Sequence, residues 1–335
     1  MARVYSAQAV HDALPWERLA GVLERAFLQG AEVPLRHAHA LSTADTLLLM
    51  PAWNEALIAT KLVTVIPSAP HTVQATVVVL DRPTGEVRAL MDGEALTLRR
   101  TAATSALAAR HLARADARTL LVVGTGRLAG WMARAHVALR PELERVVVWG
   151  RRPEAVQALV QELQPLLQAE RHAEQASRAG GVGSVGATSG PDTRGGRAAL
   201  VVEAASTLEA ACAQADIVCC ATTSREPLVC GAWLRPGTHL DLVGGFRRDM
   251  REVDDEAVRR ARVVVDTYAG ALTEAGDLTQ PLARGVIDRA HVRAELAELL
   301  REPARGRTGA ADITLFKSVG TALEDLAAAA CVLGA

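Results

Sequence analysis

Residues 12–29, DALPWERLAGVLERAFLQ, place Leu14, Leu19, Val22, Leu23, Ala26 and Phe27 at helical spacing, the signature of an amphipathic helix. From 44 to 80 the pattern changes to short β-rich runs, TLLLMP, LIATKLVTVIP and TVQATVVVL, followed by DRPTG at 81–85 and then EVRALMDG. Proline and glycine in that break suit a hairpin turn, so an antiparallel sheet is expected. TLRRTAATSALAARHLARA at 97–115 reads as a small-residue helix with Thr97 as its N-cap. Beyond about residue 116, the apolar runs TLLVVG, RVVVWG, ALVVEA, DIVCCAT, THLDLVGG and RVVVDT alternate with helical stretches. Such alternation predicts a parallel sheet covered by helices on both faces. The chain closes on TLFKSVGTALEDLAAAACVL, an alanine-rich helix long enough to return to the first domain.

The fold class expected is therefore α/β: a doubly wound parallel sheet over 116–311, plus an α+β domain from residues 1–115 with 312–335. Between the second helix and third strand of the parallel part, ASRAGGVGSVGATSGPDTRGG is rich in Gly and Ser. Residues 170–198 are thus read as a flexible surface insertion.

Composition adds exclusions. A chain of 335 residues, half hydrophobic, can bury a large core. Lys plus Arg number 37 against 38 Asp plus Glu, which removes any global charge argument for nucleic acid or an anionic membrane. The first residues, MARVYSAQAVHDALPW, lack the apolar core of a signal peptide, and no long uncharged span follows, so a soluble cytoplasmic protein is expected. Five cysteines without a C-x-x-C pair read as small buried hydrophobes; His37 and His39 find no third ligand, and no metal is expected.

Candidate chemistry starts at Gly124-Thr125-Gly126-Arg127-Leu128-Ala129, between an apolar strand and a helix. In a Rossmann turn the first glycine allows the bend, the second lets a pyrophosphate approach, and the third site needs only a small residue, which alanine supplies. Helix-start N–H groups then favour the phosphates. The next strand ends in Gly150-Arg151-Arg152 with no carboxylate before Glu154. Two guanidiniums there suit a 2′-phosphate, so NADPH is favoured over NADH. Arg100 is read as lying in the first turn of its helix, where the dipole disfavours a cation unless an anion binds. Lys61, in an apolar strand, needs an anion if buried, and reaches solvent if its strand is an edge. Asp249 is read as the N-cap of the following helix, and Asp241 is left either buried or facing the site.

Taken together, PLRHAH at 34–39, LLLMPAW at 47–53, Lys61, MDGEALTLRRTAATSALAARHLA at 91–113, GTGRLA, GGFRRDMREVDDE at 244–256 and TLFKSVGTALED at 314–325 resemble the ornithine cyclodeaminase and mu-crystallin family in order along nearly the whole chain. The resemblance implies a homodimer whose N-terminal segment and last helix form a substrate-binding and dimerisation domain beside a Rossmann domain. Arg36, Lys61 and Arg100 match the family positions that bind a substrate carboxylate, with Lys61 and Arg100 the pair on which catalysis depends. The dinucleotide is expected against Gly124, Thr125, Gly126, Arg127 and Leu128, against Arg151 and Arg152, and against Ala221, Thr222, Thr223 and Val243.

Within the family, cyclodeaminases carry a glutamate in the strand before the lysine and an aspartate after the Gly-Gly pair. This chain has Leu48 and Leu49, and Phe246. Without those acid–base groups cyclodeaminase chemistry is disfavoured. The resemblance points instead to ketimine reductases, which reduce Δ1-pyrroline-2-carboxylate to L-proline and Δ1-piperideine-2-carboxylate to L-pipecolate. Rival readings are an alanine or N-alkylamino acid dehydrogenase, and a non-catalytic crystallin-like protein holding NADPH and a carboxylate.

Overall fold

The computed structural model describes residues 2–180 and 199–334. The amino-terminal part comprises β1 (Arg3–Tyr5), α1 (Ala7–Ala13), α2 (Trp16–Gln29), β2 (His37–Ala40), β3 (Thr46–Trp53), β4 (Leu57–Val65), β5 (Val73–Asp81), β6 (Val87–Asp92) and α3 (Gly93–Leu112). The second part follows as β7 (Thr119–Val123), α4 (Arg127–Leu139), β8 (Arg145–Trp149), α5 (Pro153–Gly180), β9 (Val201–Ala204), α6 (Leu208–Gln214), β10 (Ile217–Cys220) and β11 (His239–Leu242). It continues through α7 (Asp255–Arg260), β12 (Ala261–Val265), α8 (Tyr268–Glu274), α9 (Gly276–Ala283), β13 (Val292–Glu295), α10 (Leu296–Arg301), β14 (Ile313–Lys317) and α11 (Ala322–Leu333).

The first sheet is six-stranded in the order β1-β6-β5-β4-β3-β2. It is antiparallel except for β1, which runs parallel to β6. The hairpin expected at DRPTG joins β5 to β6, with Gly85 at φ 74° closing the turn. On β4 the residues alternate: Leu57, Ala59, Lys61 and Val63 face inward and are buried, while Ile58, Thr60, Leu62 and Thr64 are half-exposed on the other side. The inward face packs on α3 and α11 in one apolar cluster that includes Leu96, Ala103, Leu326 and Ala329.

The second sheet is parallel, in the order β9-β8-β7-β10-β11-β14-β12-β13. Its first five strands follow the 3-2-1-4-5 order of a Rossmann sheet, so a crevice opens where connections leave β7 on opposite sides. Of the eight strands, β13 and β14 go beyond the runs legible in the sequence.

Several local expectations are corrected. The helix expected over 12–29 is two helices, because Pro15 cannot extend α1 and instead leads into α2. Helix α3 starts at Gly93, not Thr97: Asp92 Oδ1 accepts the Ala95 N–H at 2.8 Å as N-cap. TLFK is no part of the last helix; it forms β14 between β11 and β12, and Thr321 caps α11. Asp249 caps nothing; it pairs with Arg247 at 3.0 Å and Arg225 at 3.6 Å, and Asp254 caps α7. The backbone of residues 170–180 continues α5, and the rest of the expected insertion, 181–198, lies outside the described residues.

Candidate functional site

A chamber of about 830 Å³ opens between the inner face of the first sheet, α3, and the loop after β11. Arg36, Lys61 and Arg100 all line it, so the structure brings the three together. Lys61 stands on the central strand β4 rather than on an edge and is only 3% exposed, which removes the reading of a solvated edge residue. Its neighbours on the same face are Leu48, Met50, Val63 and Ala75.

Each cation already has a partner. Lys61 Nζ lies 2.8 Å from Asp325 Oδ2 and 3.4 Å from Thr97 Oγ1. Arg100 donates from Nε to Asp325 Oδ1 at 3.0 Å and from NH1 to Glu324 Oε2 at 2.7 Å. Arg36 Nε is 3.3 Å from Glu274 Oε1, and its NH2 donates to the Gly320 carbonyl at 3.0 Å. Burial pulls the Lys61 ammonium down to about 8, against the opposing field of Asp325. Burial acts to lower Arg100 too, but Asp325 and Glu324 outweigh it and raise that guanidinium. Asp325 in turn is held below the ordinary carboxylate range: burial would raise it, and Lys61 and Arg100 overcome that.

Arg100 does not lie in the first turn of α3, so the helix dipole does not call for an anion beside it. Counting from Gly93, Arg100 is the eighth residue of α3, beyond the helix start where the field is felt. Its charge is balanced by two carboxylates at the N-terminus of α11. Glu324 also closes a capping box with Thr321, so one side chain both starts α11 and holds Arg100. Arg99 points away, its guanidinium 3.8 Å over the Trp16 ring.

The glycine turn lies at the carboxyl end of β7. Gly124 has φ 127°, and a Cβ there would come within 2.5 Å of the Ala221 carbonyl oxygen, so only glycine fits. Gly126 is the N-cap of α4 with no side chain capping it, and a Cβ on it would meet nothing within 4 Å. Free N–H groups beside open space are what a pyrophosphate needs, and the turn fits a dinucleotide. Ala129 is fully buried, as the small third site requires. Arg127 pairs with Glu94 and lines the chamber, Leu128 packs against the core, and Thr125 borders a smaller cavity with Arg134 and Leu159.

Arg151 and Arg152 are both exposed just past β8, and Arg151 NH2 donates to Ser224 Oγ at 2.8 Å. Ala221, Thr222 and Thr223 follow β10, with Thr223 exposed; Val243 follows β11 and donates its N–H to Cys220. All of them lie at the carboxyl end of the sheet. Leu48 and Phe246 line the chamber, whereas Leu49 pairs with Leu62 on the opposite side of the sheet. Asp241 is completely buried, its Oδ2 2.8 Å from His136 Nε2, and so does not face the chamber. With Cys219 it forms, among the described residues, a cluster whose ligand-type atoms lie within 4.8 Å of one another.

Sequence reasoning missed Glu274, Glu324 and Asp325, each a partner of a recognised cation. For Glu324 and Asp325 the signal was present only as carboxylates opening an alanine-rich helix, which ordinary capping explains equally well; Glu274, the last residue of α8, carried no such signal.

A 3-2-1-4-5 parallel sheet with Gly-x-Gly-x-x-Ala at its switch point, joined to a second domain carrying a charged chamber, defines a two-domain dinucleotide-binding protein of Rossmann type. Residues 2–182 and 193–334 match the ornithine cyclodeaminase/mu-crystallin family, and the chain belongs to it. It is 33% identical over 341 residues to a Δ1-pyrroline-2-carboxylate reductase of Colwellia psychrerythraea, covering 99% of this chain and 98% of that one. Another Δ1-pyrroline-2-carboxylate reductase, from Paracoccus denitrificans, is 40% identical over 255 residues, 76% of this chain and 71% of the relative. Among solved structures, Thermococcus litoralis Δ1-pyrroline-2-carboxylate reductase in complex with NADH and L-proline superposes with a TM-score of 0.83 at 31% identity. That match covers 99% of this chain and 96% of the other. No helix among the described residues is long and apolar enough to cross a membrane.

Proposed function

We propose that this chain is a nicotinamide-dependent ketimine reductase, converting Δ1-pyrroline-2-carboxylate to L-proline and Δ1-piperideine-2-carboxylate to L-pipecolate. The observation that carries this reading is one chamber in which Arg36, Lys61 and Arg100 converge while Leu48 and Phe246 occupy the walls. The relatives bearing the pyrroline-2-carboxylate reductase name support it.

In this reading Lys61 and Arg100 hold the substrate carboxylate, already oriented by Asp325 and Glu324, so little side-chain freedom is lost on binding. Arg36 joins them by exchanging Glu274 for the substrate. The ring nitrogen carries its own proton into the chamber, and an iminium carbon next to a fixed carboxylate needs no protein nucleophile. When bound, the reduced dinucleotide supplies the two electrons and the hydrogen that saturate the C=N bond. The clamp's part is position, worth several kcal/mol of barrier. The apolar wall at Leu48, Met50 and Val63 covers the ring methylenes and keeps water from the imine.

Gly124 to Leu128 hold the pyrophosphate, and Ala221, Thr222, Thr223 and Val243 border the nicotinamide half. Arg151 and Arg152 favour NADPH; the Thermococcus litoralis relative was solved with NADH, so the preference rests on this chain's own arginine pair. A cytoplasmic homodimer completes the reading, with the second copy covering the half-exposed apolar face at Leu49, Ile58 and Leu62. Oxidation of NADPH by each cyclic imino acid tests the proposal. A kcat/KM for pyruvate plus ammonia or methylamine about tenfold above that for the cyclic imines would instead favour an open-chain dehydrogenase.

A further inference from the structure

Beneath the crevice lies a buried charged group that the clamp does not use. Glu252, Asp277 and Lys317 are each completely buried. Glu252 sits between β11 and α7, and its carboxylate reaches back to two separate loops. Its Oε1 accepts the N–H of Thr222 at 2.8 Å, and its Oε2 accepts those of Gly244 at 2.8 Å and Gly245 at 3.3 Å. Thr222 follows β10; Gly244 and Gly245 follow β11. Asp277, on α9, steadies Glu252 from behind: its Oδ1 accepts the N–H groups of Glu252 at 2.7 Å and Val253 at 3.2 Å. Lys317, ending β14, places Nζ 3.2 Å from Asp277 Oδ2 and 4.0 Å from Glu252 Oε2.

The fit leaves no slack. A Cβ on Gly244 would lie 1.9 Å from the Thr222 carbonyl oxygen and 2.3 Å from Glu252 Oε1; on Gly245 it would lie 2.3 Å from Asp277 Oδ2. Gly244 is therefore required by the close approach of the two loops, and Gly245 by the Asp277 carboxylate behind them. Burial pushes the Glu252 carboxyl up to about 7, while Lys317 and the loop N–H groups act against it. Gly244 and Gly245 are buried, so their N–H groups need a partner from within the protein, and Glu252 supplies one that also reaches the Thr222 loop.

We propose that Glu252 is a positioning residue for the dinucleotide: it ties the loop after β10 to the loop after β11 and fixes the wall of the crevice nearest the chamber. This rests on the dinucleotide reading above. The β11 loop runs on into Phe246 and Arg247, which line the chamber, so the tie also sets the distance between the two sites.

Glu252→Gln, in the full chain, preserves shape and one oxygen but turns an NH2 group toward one of the loops, so only one can be held. Fluorescence titration with NADPH alone is expected to show affinity weakened about tenfold or more. Kinetics should show KM for NADPH rising more than KM for the imino acid. A lowered Tm with unchanged NADPH affinity would overturn the proposal. If the variant does not fold, hydrogen exchange on the unaltered apo protein decides: protected amides at Thr222 and Gly244 are expected, and exchange at open-loop rates would overturn it. Should the unaltered protein bind no dinucleotide, the functional reading itself has failed, an outcome distinct from either of these.

Discussion

In the proposed carboxylate clamp, Lys61 is the buried amine through which pH acts on substrate binding. Its folded value of about 8 means that Lys61 is charged below that pH and neutral above it, while Arg100 keeps its charge throughout. Binding of L-proline, whose own charges do not change from pH 7 to 9, should therefore weaken above pH 8, by up to about tenfold per pH unit. A flat profile for product inhibition would remove Lys61 from the carboxylate. The effect on folding has the opposite sense. Between about 8 and the ordinary 10.5 the unfolded chain binds more protons, so this group adds stability as pH rises through that window. Arg100→Ala should raise KM and lower kcat for imino acids while NADPH affinity stays nearly intact; unchanged kinetics would exclude it from the site. At this scale the sequence was legible in part. The types of Arg36, Lys61 and Arg100 could be read from resemblance, but the reason offered for Arg100 was wrong, because Asp92 starts α3 earlier than Thr97 would. Asp325 was illegible because it meets Arg100 from 225 positions away.

Among the elements, α11 contributes most to the site for its length. Its first turn places Glu324 and Asp325 against both buried cations. Asp325→Ala leaves Lys61 and Arg100 short of a shared counter-charge, and unfolding by denaturant should show a loss of about 3–5 kcal/mol. A loss under about 1 kcal/mol would mean that water reaches the pair and that the clamp is not pre-formed. The loop after β8 is separable from this network. Replacing Arg151 and Arg152 together should weaken NADPH by at least about tenfold and NADH hardly at all; equal losses would remove the 2′-phosphate assignment. Strands β7 to β12 could be read directly, since each is a short apolar run bounded by a turn. Strand β14 could not, because TLFK leads into an alanine-rich stretch and shares its hydrophobicity; only pairing between β11 and β12 distinguishes it.

For the whole molecule, the proposed function has the doubly wound sheet hold the dinucleotide and the mixed sheet hold a small carboxylate, and the chamber is lined by residues of both parts. The outer face of the first sheet is apolar at Leu49 and Leu62, which pair across β3 and β4. Leu49→Glu with Leu62→Glu should convert the proposed dimer to monomer in size-exclusion chromatography; an unchanged elution volume would place the interface elsewhere. The central claim is that this chamber reduces cyclic imino acids. The most direct measurement is the initial rate of NADPH oxidation with Δ1-pyrroline-2-carboxylate and with Δ1-piperideine-2-carboxylate, repeated with NADH. Rapid saturable turnover that is faster with NADPH is the predicted result; NADPH binding without oxidation by either imine would contradict the account and favour a binding protein.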